Sequence, residues 1–394
     1  MRSKLGFTLV ELIVVMGILM VVMMITASAF KSIANQSVQQ SKSVESQIQG
    51  IIGLGLLRSD IEQAGFGLPW VFQDTTPPVA YNEVTGSTSD PASFWPSGVN
   101  AASFNDAPSN PPRAVVSGKT TFNQDDSGIG SAYLVVKSTV AAANDTARKW
   151  TNVSYANGTK TIKSWGAQDR DFANSDRIIV VKNSLVTTPA TRQLMATGST
   201  VFSSTFNIYS SLIPTHLDGD TYQVYGISPD TPPRMPFNRA DFYVTRPGSM
   251  PKGCMDSPGV GILYKSIVYH STGTSSAGTL SVGTPLLDCV ADMQVVYGLD
   301  TSGAGVVNSH TTVPLTTAAD IRSQLKEVRV YILAHEGRKD LFYNYPSEWI
   351  RVGEDFGGTV QGRDFNLKDR LGDDYKYFRW KVYTIVLRPK NLAQ

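Results

Sequence analysis

An apolar run from Phe7 to Phe30, interrupted only by the carboxylate of Glu11, dominates the start of the chain. As an α-helix, residues 7–30 would span about 36 Å, which exceeds the roughly 30 Å of a bilayer's hydrocarbon core. The run therefore predicts a transmembrane helix over residues 7–30. A secretory signal peptide is the alternative, because residues 27–29 (Ala-Ser-Ala) resemble a cleavage site, although the apolar part is longer than such peptides have.

Apolar positions continue at helical spacing after residue 30. They recur three and four residues apart, which predicts an amphipathic helix over residues 31–66. The positions of this stripe are Val44, Ile48, Ile51, Leu54, Leu57, Ile61 and Ala64. The polar first part is expected to cross an exposed neck, and the later part to lay its stripe against a globular head. Gly50, Gly53 and Gly55 are expected to weaken the helix and favour a local kink.

A different pattern begins at residue 68. Residues 68–112 are rich in Pro, Ser, Asn and Asp with isolated aromatic side chains, which is typical of a long surface loop. Aromatic-lined binding and simple packing onto the head are both open interpretations of this loop. The runs that favour strands are residues 132–137, 177–182, 201–209, 221–227, 240–246, 262–270, 291–299, 327–334 and 377–387, and one short helix is predicted at 318–325.

These elements predict an α+β protein, in which a long N-terminal transmembrane and amphipathic helix precedes a mainly antiparallel β head over residues 67–394. The head is larger than one comfortable core, so a division into two lobes near residues 214–222 is expected. Of the 394 residues, 41% are hydrophobic and 17% are charged, and this balance excludes a disordered chain. A formal net charge of +2 gives no sign of nucleic-acid binding.

Flanking charges and cysteines indicate where the chain resides. Arg2 and Lys4 precede the apolar run, so the positive-inside rule places the short N-terminus in the cytoplasm and the head in the periplasm. The two cysteines, Cys254 and Cys289, are an even pair in an oxidising compartment. This favours a disulfide, with free buried thiols as the alternative.

The head offers little catalytic chemistry. No second histidine lies three or four residues from any of the four histidines, which are His216, His270, His310 and His335. Phosphate-binding and nucleophile-elbow motifs do not occur in the sequence. A calcium loop after Asp300 is an alternative, but the alternating acids of such loops are missing. We therefore expect no enzyme activity, no cofactor and no metal.

Glu11 requires a partner, because a carboxylate within a membrane helix costs about 2.5 to 3.5 kcal/mol. No cation lies one turn from it in its own helix. The stretch from Lys4 to Glu11, KLGFTLVE, resembles the class III signal of type IV prepilins and of related secretion pseudopilins. The resemblance implies cleavage after Gly6, N-methylation of Phe7, and alignment of subunits by Glu11. The carboxylate would then meet the Phe7 amine of a neighbouring copy.

Three further stretches resemble the minor pilins called PilW, namely residues 57–65, 287–298 and 377–388. The resemblance implies a single-pass prepilin of the inner membrane that joins a complex starting or capping a type IV pilus, and so reaches the cell surface. The implied partners are a prepilin peptidase and methyltransferase and other minor and major pilins, contacted through the N-terminal helix. A tip adhesin that binds a ligand through the 68–112 loop and a type II secretion pseudopilin are the alternatives.

Overall fold

The structure of the protein, a computed structural model, describes residues 8–84, 98–142, 144–184, 191–213, 215–270 and 283–392, and the side chains of residues 32–49 and 184 are not among those described. One long helix, α1 (Leu9–Glu62), leads into a head of mainly antiparallel sheet. The predicted α+β class is therefore confirmed.

The strands of the described residues form two large sheets and a separate hairpin. The first sheet contains β1 (Val71–Phe72), β4 (Trp150–Ala156), β5 (Thr159–Ile162), β6 (Arg177–Ser184), β7 (Thr191–Leu194), β8 (Ser204–Thr205) and β9 (Thr221–Ser228). The second contains β2 (Val115–Lys119), β3 (Ala132–Ser138), β10 (Asn238–Thr245), β11 (Gly261–Ile267), β12 (Thr284–Leu299), β13 (Ser309–Thr311), β14 (Leu325–Glu336) and β17 (Arg379–Leu387). The hairpin is β15 (Trp349–Phe356) with β16 (Thr359–Asn366), and the short helices are α2 (Ala318–Gln324) and α3 (Leu367–Leu371).

The chain visits the two sheets in an interleaved order. The first sheet has the strand order β1-β7-β6-β9-β4-β5 with β8 beside β6, and its β1–β7 pair is parallel. The second has the order β17-β14-β12-β11-β10-β3-β2 with β13 beside β12. The chain starts in the first sheet with β1, crosses to the second for β2 and β3, returns to the first for β4 to β9, and enters the second again at β10. The division into lobes near residues 214–222 stays a prediction.

Both faces of the first sheet are buried at β6. Ile179 and Val181 point into the main core that the two sheets share, whereas Ile178 and Val180 point into a smaller cluster on the opposite face. This alternation follows from the two-residue period of a strand. A 3₁₀ helix, Phe206–Leu212, contributes two of the buried side chains that cover the smaller cluster.

Most predicted strands coincide with observed strands to within a few residues, and the helix predicted at 318–325 is α2. The strand predicted at 201–209 is wrong, since only Ser204–Thr205 is strand and the 3₁₀ helix begins at Phe206. Its apolar residues recur every three positions, at Phe206, Tyr209 and Leu212, which is the period of a 3₁₀ helix rather than of a strand.

The second half of α1 packs against β12, β14 and β17 of the second sheet. Leu57, Ile61 and Ala64 of the predicted stripe are fully buried there. Ile51, expected on the same stripe, is 72% exposed, because at this level the helix meets β12 through a glycine. Val44 and Ile48 lie outside the described side chains.

Gly53 is the point of closest approach between α1 and β12. A Cβ added there would lie 1.8 Å from the carbonyl oxygen of Leu286, whereas a Cβ at Gly55 would meet nothing within 4 Å. The helix continues through both positions. The glycine that was expected to weaken the helix is therefore the residue that allows it to dock on the sheet.

We expect Gly53→Ala to destabilise the head and Gly55→Ala to stabilise it. The first substitution forces the helix away from β12, which should lower the free energy of unfolding by about 1 to 3 kcal/mol. The second gains the helix propensity of alanine, worth up to about 1 kcal/mol, without a clash. Urea unfolding followed by tryptophan fluorescence measures both. Shifts of the same sign would contradict the described contact.

Candidate assembly site

The N-terminal part of α1 is an apolar surface without a partner inside the described chain. Leu9–Lys31 is the only described helical segment long and apolar enough to cross a membrane, and none of its most apolar window is buried by the head. Leu9 and Met24 are each 75% exposed. Such a continuous apolar surface marks contact with lipid or with other helices.

Glu11 has a hydrogen-bonded partner one turn earlier, which the sequence analysis missed. The backbone N–H and the hydroxyl of Thr8 both donate to Glu11 Oε2 at 3.2 Å, and the Glu11 N–H donates to Thr8 Oγ1 at 3.3 Å. This capping box begins the helix, and the T-x-x-E spacing that signals it is readable in the sequence. These hydrogen bonds do not neutralise the charge of the Glu11 carboxylate. In the described part of the chain no cation contacts Glu11. Gly6 and Phe7 lie outside the described residues.

Cys254 and Cys289 form a disulfide, as predicted, with their Cα atoms 5.0 Å apart. Cys289 lies on β12, close in sequence to Leu286 and Leu287, which face α1 at its glycines. The bond closes a loop between residues 35 positions apart. It therefore reinforces the strand on which α1 docks, and the free-thiol alternative is excluded.

A buried charge network, formed by Glu83, Asp106, Arg113, Lys137, Arg239 and Asp241, joins the segment before β2 to the second sheet. Lys137 on β3 and Arg239 on β10 lie directly opposite each other, and neither is exposed. Opposed like charges repel. The carboxylate of Glu83 lies between them, with Oε2 2.8 Å from Lys137 Nζ and 3.2 Å from Arg239 Nη1. Burial alone would raise the pKa of Glu83, but the charges of Lys137 and Arg239 hold it below its usual range.

Two more carboxylates balance the charge of this network. Asp241 accepts hydrogen bonds from Arg239 Nε and Nη2, each at 2.8 Å. Asp106 lies 2.6 Å from Lys137 Nζ through Oδ2 and 2.6 Å from Arg113 Nε through Oδ1. Three cations thus face three carboxylates. Such matched pairing is the condition under which buried charges are tolerated in a protein interior.

The network corrects the interpretation of residues 68–112 as a surface loop. Glu83 and Tyr81 are almost completely buried, and Phe104 packs on the ring of Tyr133 with 5.0 Å between centroids. The described part of the segment therefore packs into the head, as one of the two interpretations held. Phe94 and Trp95 lie outside the described residues.

A second buried ion pair fixes the β15–β16 hairpin to the second sheet. Arg363 on β16 binds Asp292 on β12 with both ends of its guanidinium group, at 2.9 and 2.7 Å. Gln294 donates to the same carboxylate and accepts from Lys119. Burial lowers the pKa of Lys119 to about 8. The sequence analysis identified none of these residues.

No metal site emerges from the described residues, in which no group of three or more His, Cys, Asp or Glu side chains could hold an ion. The carboxylate of Asp300, considered as the start of a calcium loop, accepts hydrogen bonds from the N–H groups of Gly303 and Gly305, at 2.8 and 2.6 Å. Asp300 therefore organises its own loop.

Two histidines are buried in the head. Burial lowers the pKa of His335, which packs against Phe378 and Trp380, to about 3. Burial and the nearby charge of Arg234 lower the pKa of His270 to about 4. Both imidazoles are therefore neutral in the folded head at neutral pH.

We expect the head to lose stability as the pH falls below about 6.5, the pKa of an unfolded histidine. The folded pKa values are lower, so protons bind the unfolded chain first, and the stabilisation present above pH 6.5 disappears toward pH 4. Between about pH 6.5 and 5, each buried histidine lowers the free energy of unfolding by about 2 kcal/mol. His335→Phe should reduce this loss, whereas the exposed His216→Gln should leave it unchanged. Urea midpoints measured across this range test the prediction, and equal pH dependence of His335→Phe and wild type would contradict it.

Two known family models match parts of the chain, one at the N-terminus and one in the C-terminal third. Residues 256–388, which contain β11 to β17, match the family described as Type IV Pilus-assembly protein W. Residues 1–27 match the Prokaryotic N-terminal methylation motif. Together the two matches are consistent with a PilW-like type IV prepilin. The first sheet lies outside both matched ranges.

No curated protein and no solved structure matches the chain. The two family matches indicate a structural component of a type IV pilus rather than an enzyme. The methylation motif and the apolar helix support membrane anchoring and association with the pilus. They also support contact with other pilus components.

Proposed function

We propose that this PilW-like prepilin is a minor pilin that joins other minor pilins in a complex that initiates or caps a type IV pilus. The observation that carries the proposal is the difference in surroundings between the two parts of α1. Its first part is apolar and exposed, while its second part is docked on the second sheet through Gly53 and Leu57. One continuous helix thus connects a surface suited to lipid or helix packing with a folded head.

Residues 7–30 would first span the inner membrane, with the N-terminus in the cytoplasm and the head in the periplasm. A prepilin peptidase would cleave after Gly6, and Phe7 would then be methylated. The mature subunit would move from lipid into the filament by exchanging lipid contacts for helix contacts. Residues 31–66 would continue the helix into the head formed by residues 67–394.

Glu11 would make the move of the subunit from lipid into the filament specific. In lipid its carboxylate has the Thr8 cap but no cation among the described residues, and a lone charge in hydrocarbon is unfavourable. In a filament the carboxylate would pair with the Phe7 amine of a neighbouring subunit. The charge would therefore favour the assembled state and set the axial offset between subunits.

Deletion of the gene, followed by counting of surface pili, tests the minor-pilin role. We expect few or no pili, with full recovery when the wild-type chain is supplied and no recovery with a Gly6→Val chain that the peptidase cannot process. A normal number of pili in the deletion strain would contradict a role in initiation. A normal number of pili that no longer adhere to surfaces would favour the tip adhesin instead.

A further inference from the structure

Two carboxylates of the buried charge network converge on the side-chain nitrogen of Lys137. Lys137 Nζ lies 2.6 Å from Asp106 Oδ2 and 2.8 Å from Glu83 Oε2, and all three side chains are at most 5% exposed. We propose that Lys137 and Asp106 condense to an intramolecular isopeptide bond between Nζ and Cγ, with Glu83 transferring the proton. The bond would be a covalent modification inside the head, independent of the minor-pilin role.

Glu83 is suited to activate the nucleophile. A lysine attacks only as a neutral amine, which requires a base or a desolvated site. Glu83 provides the base, because its Oε2 already contacts the ammonium group at 2.8 Å. Its other oxygen, Oε1, accepts the backbone N–H of Asp106 at 2.5 Å, so the base is fixed relative to the residue that is attacked.

Arg113 is suited to activate the electrophile. Its Nε lies 2.6 Å from Asp106 Oδ1, and its backbone N–H donates to Oδ2 at 2.8 Å. A guanidinium group at Oδ1 stabilises the negative charge that this oxygen gains when an amine adds to Cγ. Holding both reactants in one buried contact replaces a bimolecular encounter by an intramolecular one, which is worth several orders of magnitude in rate.

The reaction balances without any other reactant. The Lys137 ammonium gives one proton to Glu83, and the freed electron pair on Nζ forms the bond to Cγ of Asp106. The Cγ–Oδ2 bond then breaks, and Oδ2 leaves as water with the proton held by Glu83 and a second proton from Nζ. One ammonium and one carboxylate become one amide and one water, with no change of oxidation state.

The charge balance of the site is preserved when the bond forms. The reaction removes one cation, Lys137, and one anion, Asp106. Arg239 keeps its contacts with Glu83 and Asp241, and Arg113 keeps Oδ1 of residue 106, now an amide oxygen, as its hydrogen-bond acceptor. No charge is left in excess in the interior. The bond would fasten the segment before β2 covalently to β3, so that pulling on the head could not separate them.

Mass spectrometry of the purified full-length chain, reduced and denatured, tests the proposal. We expect a mass lower than that of the unlinked processed chain by one water, and a branched tryptic peptide that contains both Lys137 and Asp106. Lys149 and Asp176, 3.1 Å apart and also largely buried, are an internal control, since no second carboxylate contacts Lys149 in the described chain. They should be recovered in separate linear peptides. The unlinked mass with two linear peptides at Lys137 and Asp106 would overturn the proposal.

Two variants test the roles of the residues. Lys137→Arg keeps the charge but should never form the link. Glu83→Gln should slow the linkage by about 100-fold or more, the usual contribution of a positioned base, as followed by pulse labelling of newly made chains. An intact Cys254–Cys289 disulfide reports that the variant has folded. A folded Glu83→Gln chain that links at the wild-type rate would overturn the role of Glu83, and the wild-type mass decides the bond itself even if a variant fails to fold.

Discussion

A Glu11→Val variant is expected to enter the membrane and lose its leader normally, yet to be nearly absent from pili. Valine removes an unfavourable charge from the apolar segment, so insertion should improve rather than fail. Incorporation should fall by at least 10-fold, because the ion pair that would favour the assembled state is lost. Immunoblots of sheared pili and of membranes, compared for the same cells, give the incorporated fraction.

Two matched variants separate the charge of Glu11 from its capping role. Glu11→Gln removes the charge but can keep the capping box, since glutamine serves at this position of the motif. Thr8→Val removes the capping side chain but leaves the carboxylate. We expect Glu11→Gln to be excluded from pili and Thr8→Val to be incorporated. The reverse pattern would show that helix capping, rather than charge pairing, is what assembly requires.

An Arg239→Met variant is expected to lose most of the stability of the head. Removal of the guanidinium group leaves Asp241 without a cation and Glu83 with Lys137 alone, and such an uncompensated buried charge lowers the free energy of unfolding by about 3 to 5 kcal/mol. The side chain is completely buried, so water cannot substitute for it. The chain should accumulate poorly in cells and unfold at a clearly lower urea concentration.

Arg351→Met is the matched control for Arg239→Met. Arg351 forms a two-pronged ion pair with Asp364, at 2.8 and 3.1 Å, on the exposed face of the β15–β16 hairpin. Exposed pairs of this kind contribute about 1 kcal/mol or less. Both variants remove a guanidinium group, and Arg239→Met should lower the free energy of unfolding several-fold more than Arg351→Met does. Equal urea midpoints would mean that the buried charge network does not hold the head together.

Much of the fold could be predicted from the sequence because its strongest signals are local. The apolar run and the three-and-four spacing predicted α1, and runs of β-branched residues predicted β3, β6 and β14. Two hairpins were missed although their turn residues are explicit. Asn157-Gly158 joins β4 to β5, and Gly357-Gly358 joins β15 to β16, all with positive φ. Polar residues and glycine separate the apolar ones in these strands, so the strands contain no long apolar run.

Among the candidate functional residues, those in local motifs could also be predicted, and those that meet only in the folded head could not. Gly6, Phe7 and Glu11 form a short motif that the sequence displays directly, and the T-x-x-E cap at Thr8 is equally local. The buried charge network had no such signal. Glu83 and Arg239 are 156 positions apart, and a buried charge is indistinguishable from a surface charge until the strands that pair it are known.

Mass spectrometry of the N-terminus of the chain recovered from sheared pili tests the central claim most directly. The account predicts that the chain is present in this fraction and begins at an N-methylated Phe7. A chain that begins at Met1, or one cut after Ala29, would contradict an assembly role for the N-terminal helix.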